Sequence, residues 1–290
     1  MKRKFNKARE YREANEYDKA LKIYNELLEK DYNLLDTYFN LGLIFLFKKD
    51  YDMAIRYFDD ALSLDENNSR ILSEKSAALY SLNHKKESLE LINHALEINP
   101  ENPYALLGKA THLIDNKEFE EALKLFDKMI AYEPENAIFW HDKSYVLNQL
   151  ECFEESLDCV NRTLCLNPNM EKALLNKIFV LNNLNRFNEA LKVSDDALNL
   201  NSEDYVLWFN RGISLKYLNN LDEALDCFEK SIDLKPDDFD LLLNKADVLY
   251  KLNRFDDALN FYNKSLKLDP NNEYALKGHE RVLKKIKNED

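Results

Sequence analysis

Glycine, proline and cysteine are scarce in this chain, with 4, 6 and 4 copies in 290 residues. Sheets joined by glycine-rich turns and glycine loops that cradle phosphate both lack the residue they depend on, which leaves helix as the default. Cys152, Cys159, Cys165 and Cys227 are too few and too bunched to staple a chain this long, which fits a reducing compartment. No apolar run reaches the roughly 18 to 20 residues that cross a membrane. The basic opening "MKRKFNKAREYREAN" is not followed by the apolar stretch of a secretion signal. A soluble, cytoplasmic protein that does not associate with membranes is expected.

Positive charge is also in short supply, with 40 Lys and Arg against 53 Asp and Glu and a net charge of −13. The deficit lies in the body, where residues 35–272 carry 26 basic and 42 acidic groups. Such a surface repels a phosphate backbone, so no nucleic-acid partner is expected. The basic cluster Lys2, Arg3, Lys4, Lys7, Arg9 and Arg12 reads as the solvated face of a terminal helix.

Catalytic signatures are missing as well: there is no P-loop, dinucleotide fingerprint, HExxH or nucleophile elbow. The histidines His84, His94, His112, His141 and His279 never fall at metal-ligand spacing with the cysteines. The chain is expected to be no enzyme and to hold no metal or cofactor.

What is present is a period. "NRFDDALNFYNKSLKLDPNN" (253–272) nearly repeats "KEFEEALKLFDKMIAYEPEN" (117–136), and aligning on the "AL" pair gives a spacing of 34 residues without insertion. A small residue recurs as Ala20, Ala54, Ser88, Ala122, Ser156, Ala190, Ala224 and Ala258. An aliphatic residue follows it each time, and a second aliphatic column lies seven residues further on, from Leu28 to Leu266, which puts both on one helical stripe. Cys159 and Cys227 share a slot held elsewhere by Ile23, Tyr57, Leu91, Leu125, Val193 and Phe261, so they read as core residues.

The first half of each unit carries its own stripe at unit positions 4, 7, 8 and 11, as in Trp208, Arg211, Gly212 and Leu215. Pro100, Pro134, Pro168, Pro236 and Pro270 end the second helices, with Asn or Asp following to cap the next. Eight helical hairpins are predicted, at 1–34, 35–68, 69–102, 103–136, 137–170, 171–204, 205–238 and 239–272, and a closing helix at 273–290. That last helix is expected to bury Ala275, Leu276, His279, Val282, Leu283 and Ile286 on the final hairpin. A lone hairpin cannot bury enough to offset its ordering entropy, so such units stack into arrays.

"YFNLGLIFLFKKDYDMAIRYFDDALSLDENN" (38–68) and "WFNRGISLKYLNNLDEALDCFEKSIDLKPDD" (208–238) resemble the tetratricopeptide repeat, and the resemblance covers the chain up to residue 272. It implies an all-α fold, a right-handed α-solenoid of helix-turn-helix repeats closed by a C-terminal capping helix. It also implies a non-enzymatic scaffold that holds a segment of a partner protein in a concave groove. Lys4 and Lys7 stand in apolar slots, and Ile178 and Ser194 reverse the small and aromatic slots of the sixth unit. A frayed first helix and a less regular sixth unit are therefore expected. The Lys and Asn set with which some relatives clamp a carboxylate does not occur here.

On the helical wheel, positions 2, 6, 9 and 13 of the first helix face away from the core stripe and are expected to line the groove. Position 6 contributes Asn40, Asn176, Asn210 and Asn244, amides suited either to an extended peptide backbone or to bonds between repeats. Phe47, Tyr104, Tyr145, Phe179, Ile213 and Tyr217 stand around them, as anchors for a ligand or as partners of one another. Lys172, Lys216 and Lys251 make this face positive toward the C-terminal half, whereas Asp36, Glu74, Asp115 and Asp142 make it negative toward the N-terminal half. The expected partner is a protein or peptide. A self-associating structural module is the alternative.

Overall fold

The structure, a computed structural model, describes residues 1–289, and among them there are seventeen helices and no strand. The chain divides into two compact units, the first ending at Pro134 and the second starting at Glu135. The first holds α1 (Lys2–Glu13), α2 (Tyr17–Leu28), α3 (Leu34–Phe47), α4 (Tyr51–Leu62), α5 (Ser69–Ser81), α6 (Lys85–Ile98), α7 (Pro103–Asp115) and α8 (Phe119–Tyr132). The second holds α9 (Ala137–Gln149), α10 (Phe153–Leu166), α11 (Glu171–Asn183), α12 (Phe187–Leu200), α13 (Tyr205–Tyr217), α14 (Leu221–Leu234), α15 (Phe239–Lys251), α16 (Phe255–Leu268) and α17 (Glu273–Glu289). In both, each odd-numbered helix except α17 turns back on the even-numbered one that follows, and among the described residues no helix is long and apolar enough to cross a membrane.

The link inside every hairpin passes through a left-handed residue at unit position 15, from Asn15 (φ 59°) in the first to Asn253 (φ 57°) in the last. No glycine stands at any of these links. Asparagine, which tolerates this conformation best among the other residues, fills Asn15, Asn83, Asn185, Asn219 and Asn253, and Lys49, Lys117 and Glu151 fill the rest. Side-chain caps start the first helices: Asn68, Asn102, Asn136, Asp204 and Asp238 each accept from a backbone N–H one helical turn or less ahead.

The column from Ala20 to Ala258 is fully buried at all eight positions. Beside it, a large residue on the second helix fills the space over a small one on the first. A methyl group on Gly42 would lie 2.5 Å from the Phe58 ring, and one on Gly212 would lie 2.7 Å from Phe228. The sixth hairpin exchanges the two sizes, with Ile178 on the first helix and Ser194 on the second, and both are completely buried. Total volume is kept, so the expected irregularity is absorbed as a small-for-large swap. Within the first hairpin, Lys4 is exposed and pairs with Glu26, while Phe5 and Ala8 anchor α1.

Position 7 departs from the predicted core stripe. Leu41 is buried there, but Lys75, Lys109, Arg211 and Lys245 reach the second helix of the preceding hairpin. Lys75 meets Asp59 at 2.5 Å, Arg211 meets Asp195 at 2.8 Å and Lys245 meets Glu229 at 3.0 Å. Their aliphatic stems cover apolar surface while the charged ends stay at the rim. On α17, Ala275 and Val282 are buried as predicted, while Leu276 turns outward and is 40% exposed. Gly278 takes the inner place instead, because a Cβ there would collide with the Tyr262 ring.

Candidate functional site

The odd-numbered helices of each unit form one layer, and its outward rows are positions 2, 9 and 13. Phe47 in the first unit and Tyr145, Phe179 and Tyr217 in the second are between 45% and 61% exposed on rows 9 and 13. Tyr104 and Ile138 are exposed on row 2. Leaving large apolar groups in water at one repeat spacing is costly and marks a surface for another molecule. Several of these rings are also held from behind. Tyr217 stacks on Phe187 with centroids 4.8 Å apart, Phe47 lies parallel to Tyr17 at 6.2 Å, and Phe179 meets Phe153 edge-on at 6.3 Å. Part of each of these rings is thus committed to the preceding hairpin while the rest remains in solvent. Ile213 sits half-buried between its neighbours.

The amides of position 6 lie deeper than the helical wheel placed them. Asn40 is buried, and its Nδ2 donates to the Asp36 carbonyl of its own helix at 2.6 Å. Asn210 and Asn244 make the same backward bond to Val206 and Asp240, each at 2.8 Å. In the second unit a ladder also joins successive first helices, from position 12 of one to position 6 of the next. Asn148 donates to Asn176 Oδ1 at 2.5 Å, Asn182 donates to the Asn210 carbonyl, and Lys216 donates to Asn244 Oδ1 at 2.9 Å. Asn176 Nδ2 in turn donates to Ser144 Oγ at 2.6 Å. The wheel treats a helix as isolated, whereas a neighbouring helix at close range turns its outward flank into an interface. Of the four amides, Asn210 keeps an oxygen without a partner among the described residues, on an accessible side chain.

The charged groups sort similarly. Lys172 and Lys251 are exposed, but Lys216 is engaged by Asp247 at 2.9 Å and by Asn244. Asp247 is 6% exposed and also accepts from Tyr262 OH at 2.5 Å and Tyr274 OH at 3.0 Å. Arg281 lies 3.6 Å from the same carboxylate and over the Tyr250 ring. Burial, and then the bond to Asp247, push the Tyr262 hydroxyl far above its ordinary range. In the first unit Asp115 accepts from Lys85 at 2.6 Å and from Tyr80 at 2.5 Å. These bonds hold its carboxyl below the usual range, and burial with the Asp115 contact takes Tyr80 up to about 12.

Two features escape the sequence reading. Asp247 could have been suspected as the lone acid in the row that holds Tyr145, Phe179 and Ile213, but its partners are set by stacking. The other is an exposed apolar row at the ends of the second helices: Leu64, Ile98 and Tyr132 in the first unit, and Leu200, Leu234 and Leu268 in the second. The same 34-residue spacing was available to find it. Cys159 and Cys227 are buried as core residues, and Arg211 donates to Cys227 Sγ at 3.0 Å.

Family models described as tetratricopeptide repeat match residues 14–67, 86–142 and 209–273. The unmatched stretch 143–208 contains the hairpin in which Ile178 and Ser194 exchange sizes. No curated protein matches the chain. Among solved structures, YrrB, described as a TPR protein with an unusual peptide-binding site, is similar with a TM-score of 0.55 and 24% identity, over 64% of this chain and 95% of that one. A chain of the APC/C hetero-tetramer Cut9-Hcn1 is similar with a TM-score of 0.72 and 18% identity, over 91% of this chain and 52% of that one. A tetratricopeptide repeat protein from Parabacteroides merdae aligns over 90% of this chain and 98% of that one, with a TM-score of 0.60 and 16% identity. At these identities the likeness is one of fold.

Proposed function

The chain belongs to the tetratricopeptide repeat family, whose repeats serve in general as protein-interaction scaffolds, and from that premise we propose that it binds a segment of a partner protein on its first-helix layer and performs no chemistry itself. The observation that carries this reading is the strip of half-exposed aromatics on rows 9 and 13 of three successive hairpins in the second unit: Tyr145, Phe179 and Tyr217. Phe187 and Phe153 pin two of these rings from behind, so a ligand would meet rigid anchors and little ordering entropy would be lost on binding. Ile213 completes the apolar strip, Asn210 Oδ1 is placed to accept from a peptide N–H, and Lys172 adds a cation at the edge. Asn176 and Asn244 serve this site by fixing the spacing of its helices. In the first unit Phe47 stands on row 13 and Tyr104 on row 2 of the same layer, with Asn40 as an internal brace. A cytoplasmic setting is part of the proposal, in keeping with four cysteines that form no disulfide.

A selection from a random peptide library displayed on phage tests the reading and requires no named partner. Selected peptides should bind the wild type and lose at least about tenfold in affinity to a Phe179→Ser, Tyr217→Ser double variant that keeps its helical circular dichroism. Self-association is the second reading, favoured by the apolar row Leu200, Leu234 and Leu268, and a light-scattering mass above that of one chain would select it.

A further inference from the structure

A cavity of about 260 Å³ opens among α5, α6 and α7 in the first unit. Gly108 forms part of its wall. Position 6 carries an amide or an acid in most hairpins, whereas here there is no side chain, and a Cβ alone would come within 2.9 Å of Ile92 Cδ1. The walls are chiefly apolar, from Ala77, Ile92, Leu107 and the Tyr104 ring. At roughly 30 Å³ per water the space equals on the order of nine water volumes, which is room for one long side chain.

The polar groups around this space are satisfied inside the protein, with one exception. Ser73, Ser76, Ser81 and Thr111 donate to carbonyls of their own helices. Ser88 and His112 Nε2 share a hydrogen bond of 3.1 Å, and Tyr80 donates to Asp115. Tyr104 OH accepts from Arg70 at 3.4 Å, and the Arg70 guanidinium lies between the Phe39 and Tyr104 rings. Glu74 lines the same cavity, and among the described residues its carboxylate has neither a hydrogen bond nor an ion pair.

We propose that this cavity receives a basic side chain, lysine or arginine, of the bound partner segment, its aliphatic stem against Ala77, Ile92 and Leu107 and its charged end on Glu74. The inference rests on the peptide-binding reading above and names one residue of the ligand. An apolar sleeve ending in one acceptor-only group suits an amphipathic cation better than an aliphatic side chain, which would leave the carboxylate unanswered, or an acid, which Glu74 would repel. Burial raises the Glu74 carboxyl above its ordinary range although Arg70 and Arg12 oppose the shift, so an unliganded site carries a penalty that a cation relieves.

The test uses four capped pentapeptides, acetyl-Gly-Gly-X-Gly-Gly-amide with X as lysine, arginine, norleucine or glutamate, titrated into the full-length ¹⁵N-labelled protein. The amides of Ala77, Leu107 and Gly108 should shift with the lysine or arginine peptide, at an affinity about tenfold above norleucine. In Glu74→Gln that advantage should collapse to near parity while norleucine binding is unchanged. Equal binding of lysine and norleucine by the wild type, an advantage that persists in Glu74→Gln, or shifts confined to other helices would overturn the proposal. Gly108→Leu, which fills the space, should abolish the response. Should that variant unfold, the Glu74→Gln comparison decides alone. Phage-selected peptides that depend on Phe179 and Tyr217 while all four pentapeptides fail would sink the cavity assignment and leave the scaffold reading standing.

Discussion

Tyr24 and Tyr262 occupy the same slot, seven periods apart, in the first and last hairpins, and both rings are completely buried. Their hydroxyls meet opposite fates. Tyr262 donates to Asp247 within the network of Lys216, Tyr274 and Arg281, whereas the Tyr24 hydroxyl is buried with no partner among the described residues. In other hairpins the slot is met by Phe58, Phe126 and Phe228, which bring no polar atom. The repeat therefore fixes the volume of a side chain and leaves its polar end to the surroundings. Where the first helix of the same hairpin supplies an acceptor, as α15 does with Asp247, the hydroxyl stabilises the fold, and where none does, it is a liability.

Removing the acceptor breaks the comparison most severely. Asp247→Ala leaves two hydroxyls, Lys216 and Arg281 without their common acceptor, and urea denaturation should show a loss of about 3 to 5 kcal/mol. Tyr262→Phe removes one bond to the same buried carboxylate and should cost about 1.5 to 3 kcal/mol. Tyr24→Phe sharpens the contrast, since the same substitution should here stabilise by about 1 kcal/mol. A destabilised Tyr24→Phe would mean that the slot needs its hydroxyl at both ends.

The same hydroxyl also couples stability to pH. Burial raises the Tyr24 hydroxyl from 10.0 to about 12, so the folded state favours the neutral form. That contribution is fully present below the unfolded value near pH 10 and is lost as pH rises through about 12. Between those limits the stability of the wild type should fall more steeply than that of Tyr24→Phe, a difference that urea midpoints at about pH 9.5 and about pH 11.5 would measure.

Most of the fold was legible because a 34-residue period writes each core contact eight times. Ala20 to Ala258, the helix-ending prolines and the Asn and Asp caps all stand where the pattern put them. The site was less legible. The helical wheel found the exposed rings of Phe47, Tyr145, Phe179 and Tyr217, because a position facing away from one core stripe on an isolated helix still faces water when hairpins stack. It misplaced position 6, because Asn176 and Asn244 border the preceding first helix, and a single-helix projection contains no neighbour. Position 7 was assigned to the core by its angle, yet Lys75 and Lys245 use long stems to leave it. Asp247 was invisible for the same reason as the partnerless state of Tyr24: the pairings of Asp247 span 15 to 34 residues and are decided by which element packs next.

The central claim, that the first-helix layer holds a partner segment, is tested most directly by photocrosslinking. Benzoylphenylalanine would be placed singly at Tyr145, Phe179 or Tyr217, and for comparison at Leu234 or Leu268 on the ends of the second helices, and each protein irradiated with a phage-selected peptide. The account predicts adducts from the first three positions and none from the last two. Adducts formed at Leu234 and Leu268 alone would contradict it and move the binding surface to the second-helix ends.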